Sequence, residues 1–327
     1  MKPLVSVLLP VFNAEKTIQN AVSSILNQSY SNFELLIIND GSEDASLNIV
    51  KAFRDDRIRI ISFETNKGLV YALNKGIKAA QGKYVFRMDA DDISMKNRIL
   101  KQVEFLENRN EIGILGAGFI SVNSQAKNKE ISYFPSHNEI CFRHLYQIHL
   151  CHPTVAIRKS ILDKNSILYN SNFKHAEDYD FFNQILKVTK AANLNDPLLL
   201  KENGVGNVSN KFKEVQEQNS QKAKMELFEW LFVPVSLDLL ENFRQLNHQD
   251  YASINIRTKE MGKLLLDIFK GNKRRKFIDG IFLFKKLNHL MFHFCLFRRS
   301  AFYFYFLFHL IVIFFLSINF KTINSSY

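Results

Sequence analysis

Three carboxylates, Asp89, Asp91 and Asp92, fall within "FRMDADDIS" (86–94), directly after the apolar run "KYVF". Ionised groups so close repel one another, and something positive must offset them. Such a cluster is suited to a hard divalent cation. The same residues would also suit a solvated turn at a strand end, where Asp bonds its own backbone. A second acidic group, Glu177, Asp178 and Asp180, opens "EDYDFFNQILKV" (177–188), whose Phe181, Phe182, Ile185 and Leu186 share a helical face. Carboxylates favour a helix start for the dipole alone, and a carboxylate there could also take a proton in catalysis.

The elements that must position these groups alternate in type. "LVSVLLPVF" (4–12), "FELLII" (33–38), "IRIISF" (58–63) and "KYVFRM" (83–88) read as strands, and "FELLII" is apolar enough to be buried on both faces. Between them "EKTIQNAVSSIL" (15–26), "SLNIVKAF" (46–53) and "LVYALNKGIKAA" (69–80) read as helices, the first with Ile18, Val22, Ile25 and Leu26 on one face. This alternation predicts an α/β fold with right-handed crossovers and a mostly parallel sheet. Ligands of such sheets bind beyond the carboxyl ends of the strands. That rule selects "PVFN" after the first strand, "NDGS" (39–42) after the second and "DADD" (89–92) after the fourth. The first loop has no glycine, so a G-x-G-x-x-G dinucleotide site is absent. "GILGAG" (113–118) is mis-spaced for that role and reads as close strand packing.

"VSVLLPVFNAEKTIQNAVSSILNQSYSNFELLIINDGSEDAS", followed by "NKGLVYALNKGIKAAQGKYVFRMDADD", resembles the N-terminal half of a family 2 glycosyltransferase. The likeness runs from about residue 4 to about residue 210. It implies a Rossmann-like GT-A fold, a nucleotide-sugar donor and inverting transfer. By resemblance Asp40 contacts the nucleotide base, with Pro10, Asn13, Gly41, Ser42 and Lys67 around the donor. Asp89 and Asp91 match the family's D-x-D, which holds the ribose and a divalent metal, with Asp91 and Asp92 as the expected metal ligands. A cation between carboxylates and a diphosphate would be the missing positive charge, Mn²⁺ or Mg²⁺. The turn reading is absorbed, since a turn exposes all three side chains to one ligand. Resemblance also makes Asp178 the general base, with Glu177 beside it and Asp180 in reserve. "HPTVAIRKS" (152–160) resembles a strand on the acceptor side, where His152 is assigned proximity only. At "KENGVGNVS" (201–209), Glu202 and Gly204 stand where many relatives carry an arginine and a histidine over the diphosphate.

The net charge of +11 is concentrated at one end: residues 257–327 hold 13 Lys and Arg against 3 acidic residues. Cys141, Cys151 and Cys295 are too few and too scattered for a disulfide framework or C-x-x-C zinc site. The N-terminus has Pro10 in its apolar run and no small-residue cleavage site, and reads as a strand rather than a signal peptide. Residues 211–270 read as helical, and "KRRKFIDGIFLFKKLNHLMFHFCLFRR" (273–299) mixes basic with large apolar residues. "AFYFYFLFHLIVIFFLSI" (301–318) holds no formal charge. About 20 apolar residues span a bilayer, so this run could span, lie in the interface, or pack as a buried aromatic helix or into an oligomer.

The expectation is a GT-A catalytic domain over 1–210, divided into a nucleotide-sugar half (1–110) and an acceptor half (111–210), a helical extension (211–270) and a membrane-associating tail (271–327). Its activity would be transfer from a nucleotide sugar, a UDP-sugar above others, to a glycan hydroxyl, on a lipid carrier at the cytoplasmic face of a bacterial inner membrane. Two rivals stand beside it. A nucleotidyltransferase would want a Gly-rich basic loop after the first strand, where "PVFNAEK" is poor. A non-catalytic nucleotide-sugar or membrane scaffold would account for Glu202 and Gly204. Nucleic acid is not an expected partner, because the tail's basic residues interleave with apolar ones rather than with a polar groove surface.

Overall fold

The computed structural model describes residues 5–122, 128–202, 212–298, 300 and 302–323, the last ten of these as helix backbone alone. Gly204 and the rest of 203–211 lie outside the described residues. The chain divides into two compact units, Met1–Ile140 with His149–Asn219, and Cys141–Ile148 with Ser220–Tyr327.

The first unit opens with β1 (Val5–Val11), α1 (Ile18–Leu26), β2 (Phe33–Asp40), α2 (Ser46–Ala52), β3 (Ile58–Phe63), α3 (Leu69–Ala79) and β4 (Tyr84–Arg87). These strands lie in the order β3-β2-β1-β4 and are parallel throughout. Every residue of β1 and β2 is buried, which is why their sequences run apolar without alternation. Strand order reverses direction between β1 and β4, and the crevice outside their carboxyl ends is the topological switch point.

At the opposite end of the sheet a polar group is buried among these strands. Ser6 faces Glu34 in the β1–β2 ladder and donates its hydroxyl to Glu34 Oε1. Gly82 N donates to Ser6 Oγ at 2.8 Å, Gln81 N to Glu34 Oε1 at 2.7 Å, and Arg59 pairs with the other Glu34 oxygen. A Cβ on Gly82 would lie 2.6 Å from Ser6 N, so only glycine fits.

The chain continues through β5 (Ile93–Ser94), α4 (Arg98–Asn108), β6 (Ile112–Val122), β7 (Lys129–Ile131), α5 (His137–His144), β8 (Ala156–Arg158), α6 (Lys159–Lys164), α7 (Glu177–Leu186) and β9 (Lys190–Glu202). Here pairing is mixed: β8 is antiparallel to β4 and β6, β9 is parallel to β6, and β5 and β7 add antiparallel edges. The sheet holds nine strands among the described residues. "GILGAG" lies in β6, and a Cβ on Gly118 would come within 2.8 Å of the Ile131 carbonyl oxygen, which is the close packing expected of it. "HPTVAIRKS" is shorter as a strand than its sequence suggests. His152–Thr154 form a 3₁₀ turn, because Pro153 has no N–H to give a ladder and Thr154 Oγ1 folds back onto the Cys151 carbonyl at 2.8 Å.

The second unit is helical, with most of α8 (Lys213–Trp230), then α9 (Leu237–Asn247), α10 (Thr258–Arg275), α11 (Gly280–Phe297) and α12 (Phe302–Ile323). The last three pack on one another. They bury Leu265, Ile268 and Phe269 of α10, Leu283, Leu287, Met291 and Phe294 of α11, and Phe306 and Leu310 of α12. The α10–α11 turn is fixed by Asn272, whose side chain bonds both the N–H and the carbonyl of Ile278 at 2.8 Å. The three cysteines are buried and form no disulfide.

Candidate active site

β1 pairs with β4 only from Val5 to Leu8, whereas its pairing with β2 runs on to Val11. The two central strands therefore part below the crevice. Pro10 falls where they have parted, so its missing N–H costs the β1–β4 ladder nothing. Asn13 follows with φ 49°, a left-handed conformation that Asn tolerates better than most residues. Its N–H donates to Ser42 Oγ at 3.1 Å, and its Oδ1 accepts from Glu43 N at 2.9 Å. Ala14 N bonds Ser46 Oγ at 2.8 Å and Glu15 N bonds Asp44 Oδ2 at 2.9 Å, so the loops after β1 and β2 form one stitched surface.

Asp40, at the end of β2, is 3% exposed. Its Oδ1 accepts from Lys67 N at 2.9 Å and its Oδ2 from Gly68 N at 2.8 Å. Asp40 thus brackets the turn that starts α3, and only the remaining lone pairs of its carboxylate face a ligand. Gly41 (φ 70°) passes so close to this turn that a Cβ would meet the Thr65 carbonyl carbon at 2.5 Å. Lys67 itself is exposed, with its ammonium 5.6 Å from the Tyr71 ring centroid.

Beyond β4, ligand oxygens of Asp89, Asp91 and Asp92 lie within 4.8 Å of one another. Asp91 is exposed and Asp89 partly so, while Asp92 is 1% exposed with neither carboxylate oxygen hydrogen-bonded. Burial, then the neighbouring Asp89, push Asp92 up to about 7. Orphaned buried oxygens beside two further carboxylates are the donor set a hard divalent cation takes, and the residues fit Mg²⁺ or Mn²⁺. The protein supplies positive charge of its own as well. Arg87 is buried and ion-paired with Asp89. Lys201, from β9, resists the loss of charge that burial favours because Asp89 and Asp92 face it. Arg98, 1% exposed, donates to the Arg87 carbonyl at 2.7 Å and to Gln102 Oε1 at 3.2 Å. Burial pulls its pKa to about 10 against the pull of Asp92.

The second acidic group begins α7 at Glu177. Asp178 accepts its neighbour's N–H, Tyr179 N, at 2.8 Å. Burial raises Asp178 to about 6, and burial together with Asp178 raises Glu177 to about 7. The charge of Arg87 acts on both in the opposite sense. Asp180 differs: it is buried and accepts from Gln184 Nε2 at 2.7 Å, a bond within its own helix. His152 lies 2.7 Å from the Tyr169 hydroxyl through Nε2, and burial holds its pKa well below the ordinary value, so it is neutral. Tyr169 stacks on Phe181 at 3.8 Å, and both its backbone groups bond the Asn74 side chain of α3 at 2.9 Å. Asp178, Glu177, Arg87 and Asp89 all act on the Tyr169 hydroxyl, which places these groups in one neighbourhood.

Sequence reasoning missed Arg87, Arg98, Tyr169 and Lys201. A signal existed for Arg87 alone: it is a charge inside an apolar strand, two residues before Asp89 and so on the same face. Tyr169 and Lys201 come from far along the chain and carry no local mark.

A family model described as Glycosyl transferase family 2 matches residues 6–165. An uncharacterized glycosyltransferase of Haemophilus influenzae is 32% identical over 250 residues, 72% of this chain and 77% of its own length. The Escherichia coli UDP-Glc:alpha-D-GlcNAc-diphosphoundecaprenol beta-1,3-glucosyltransferase WfgD is 30% identical over 221 residues, 66% of this chain and 83% of its own. Staphylococcus aureus TarS 1–349, solved in complex with UDP-GlcNAc, shares the fold with TM-score 0.61 at 18% identity, over 90% of this chain and 91% of that one.

Proposed function

The chain belongs to glycosyl transferase family 2, and we propose that it is an inverting, metal-dependent transferase that moves a sugar from a nucleotide donor to a hydroxyl of a bacterial surface glycan. The observation carrying this reading is Asp92, buried with two orphaned oxygens beside Asp89 and Asp91 at the switch point. The stitched loops of Asn13, Ser42 and Asp40 would hold the nucleotide, with Pro10, Gly41 and Lys67 shaping their approach. Asp91 and Asp92 would ligate the cation, with Asp89 on the ribose. When bound, that cation would neutralise charge on the departing diphosphate. Asp178 would accept the acceptor's hydroxyl proton as its oxygen attacks the anomeric carbon, and the nucleoside diphosphate would leave from the opposite face. Its pKa of about 6 suits a base at neutral pH. His152, neutral and engaged by Tyr169, supports this wall of the site without taking a proton.

By analogy with WfgD we expect a UDP-sugar and a lipid-linked acceptor. Catalysis is assigned to 1–210, with 211–270 as a helical extension. Membrane contact through 271–327 at the cytoplasmic face belongs to the same reading. Among the described residues no helix is long and apolar enough to cross a membrane, so the contact proposed is interfacial. Its support is the exposed apolar surface of α11 and α12, with Leu296 at 64%, Phe304 at 74% and Phe308 at 63% exposure, in a segment rich in Lys and Arg. A screen of nucleotide sugars by mass spectrometry, with Mn²⁺ and a lipid-linked glycan acceptor, tests the function. Neither donor hydrolysis nor transfer with any of them would leave the scaffold reading in its place.

A further inference from the structure

The side chain of Arg87 is 7% exposed, and of its three nitrogens only Nη2 has a partner, Asp89. Nε and Nη1 are buried with no acceptor. A buried donor left unsatisfied bears its full desolvation penalty, which is larger for a charged group. The buried arginine next to it provides a contrast. Arg98 gives Nη2 to the Arg87 carbonyl, Nε to Gln102 and Nη1 to Met88 Sδ, so each of its three nitrogens has a partner.

Arg87 is paired with Asp89 of the first acidic group, and its charge is felt by Asp91 and Asp92 of that group and by Glu177, Asp178 and Tyr169 of the second. In a direct displacement the transferred sugar occupies the interval between leaving diphosphate and base. Building on the function proposed above, we propose that Arg87 reads that sugar, donating from Nε and Nη1 to two of its oxygens, and that the sugar is uncharged. Two features support this choice of ligand. Nε and Nη1 leave the guanidinium by different edges, which suits two separate hydroxyl oxygens rather than one carboxylate. Asp89 already balances the guanidinium charge, and Glu177 and Asp178 are near enough to feel that charge, so a uronate would add a further negative group to an already acidic site.

The test is calorimetric, with Mn²⁺ present and UDP, UDP-glucose, UDP-galactose, UDP-GlcNAc and UDP-glucuronate as probes. Wild type should bind one neutral nucleotide sugar at least about tenfold tighter than UDP-glucuronate, as one lost charge-assisted bond or one like-charge contact predicts. Arg87→Lys keeps a cation for Asp89 but loses both extra donors. It should hold UDP within about threefold of wild type while weakening the preferred nucleotide sugar roughly ten- to hundredfold. Equal losses for UDP and nucleotide sugar, or no loss for either, would overturn the assignment, and tightest binding of UDP-glucuronate would overturn its charge argument. Deoxy analogues of the preferred sugar, tested on wild type, cover the case in which the variant does not fold: unchanged affinity for every deoxy analogue would sink the proposal. Wild type that binds neither UDP nor any nucleotide sugar would instead defeat the functional reading on which the inference rests.

Discussion

Asp40 and Gly68 are joined by a 2.8 Å hydrogen bond from the glycine N–H to Oδ2, while Oδ1 of the same carboxylate takes Lys67 N at 2.9 Å. The aspartate is therefore a bracket for the loop before α3 as well as a wall of the proposed nucleotide site. Asp40→Asn keeps the shape but turns one acceptor into a donor facing an N–H. We expect a loss of about 1–3 kcal/mol of stability in denaturant titration, with weakened nucleotide binding. An unchanged midpoint would show that the bracket contributes nothing.

The acidic cluster should trade stability for metal binding. Burial, then the neighbouring Asp89, push Asp92 up to about 7 in the folded protein, well above the ordinary carboxylate range. The folded state therefore holds this proton more tightly than the unfolded one, and stability from this group rises as pH falls from about 7 towards 4. Above pH 7 its unpaired charge is a burden that Asn would not carry. Asp92→Asn should raise the melting temperature of metal-free protein at pH 8 and abolish the further rise caused by Mn²⁺. A lower melting temperature would refute this account.

Asp91→Ala removes an exposed ligand and leaves the fold intact on this reading. Transfer should drop to background with an unchanged melting temperature, and EDTA should do the same to wild type until Mn²⁺ or Mg²⁺ is restored. Full activity in excess chelator would exclude a metal-dependent mechanism.

Asp178→Asn separates a base from a helix-start residue. Asn serves a helix start about as well as Asp, so a structural role predicts turnover near wild type. A base predicts turnover lower by roughly 10²–10⁴-fold with nucleotide affinity nearly unchanged. In wild type, kcat/KM should fall as pH drops through the range of Asp178 and Glu177, about 6 to about 7, because protonation removes the base. An acid limb near pH 4 would place the base elsewhere.

Membrane contact is better tested by substitution than by truncation. Removing the chain after Gly271 would cut inside α10 and strip α11 and α12 from its buried face, so loss of binding would report unfolding. Phe304→Asp with Phe308→Asp leaves the buried Phe306 and Leu310 in place. We predict that this pair abolishes flotation with anionic vesicles while helical circular dichroism is kept. Undiminished flotation would move the contact elsewhere.

Much of this architecture was legible in the chain. "FELLII" announced a doubly buried strand, and the alternation through "KYVFRM" predicted a parallel half-sheet, because both are local patterns set by periodicity; the order β3-β2-β1-β4 was not among them. The later half was less so: β8 is three residues long and β9 pairs across register shifts, and no periodicity encodes either. At the site, "DADD" was visible as a cluster, but its charge balance was not. Arg98, Lys201 and Tyr169 reach it through tertiary packing, and the burial that shifts Asp178 is a property of the folded interior. The tail's apolar run was plain, whereas which side of each helix stays exposed depends on how α10, α11 and α12 pack.

The buried pairing of Ser6 with Glu34 has a consequence for the far end of the sheet. Side chains alternate along a strand, so a slip of one residue between β1 and β2 would turn Ser6 away and strand the Glu34 carboxylate among apolar neighbours. Glycine at position 82 tightens the tolerance further, since no side chain could fill the gap a slip would open. The pair therefore acts as an alignment pin. A strand advances about 3.3 Å per residue, so a slipped register would carry Asn13 past Ser42 and Glu43 by more than a hydrogen bond's reach. Residues that touch no ligand at one end of the sheet thereby set the tolerance to which the donor loops at the other are assembled.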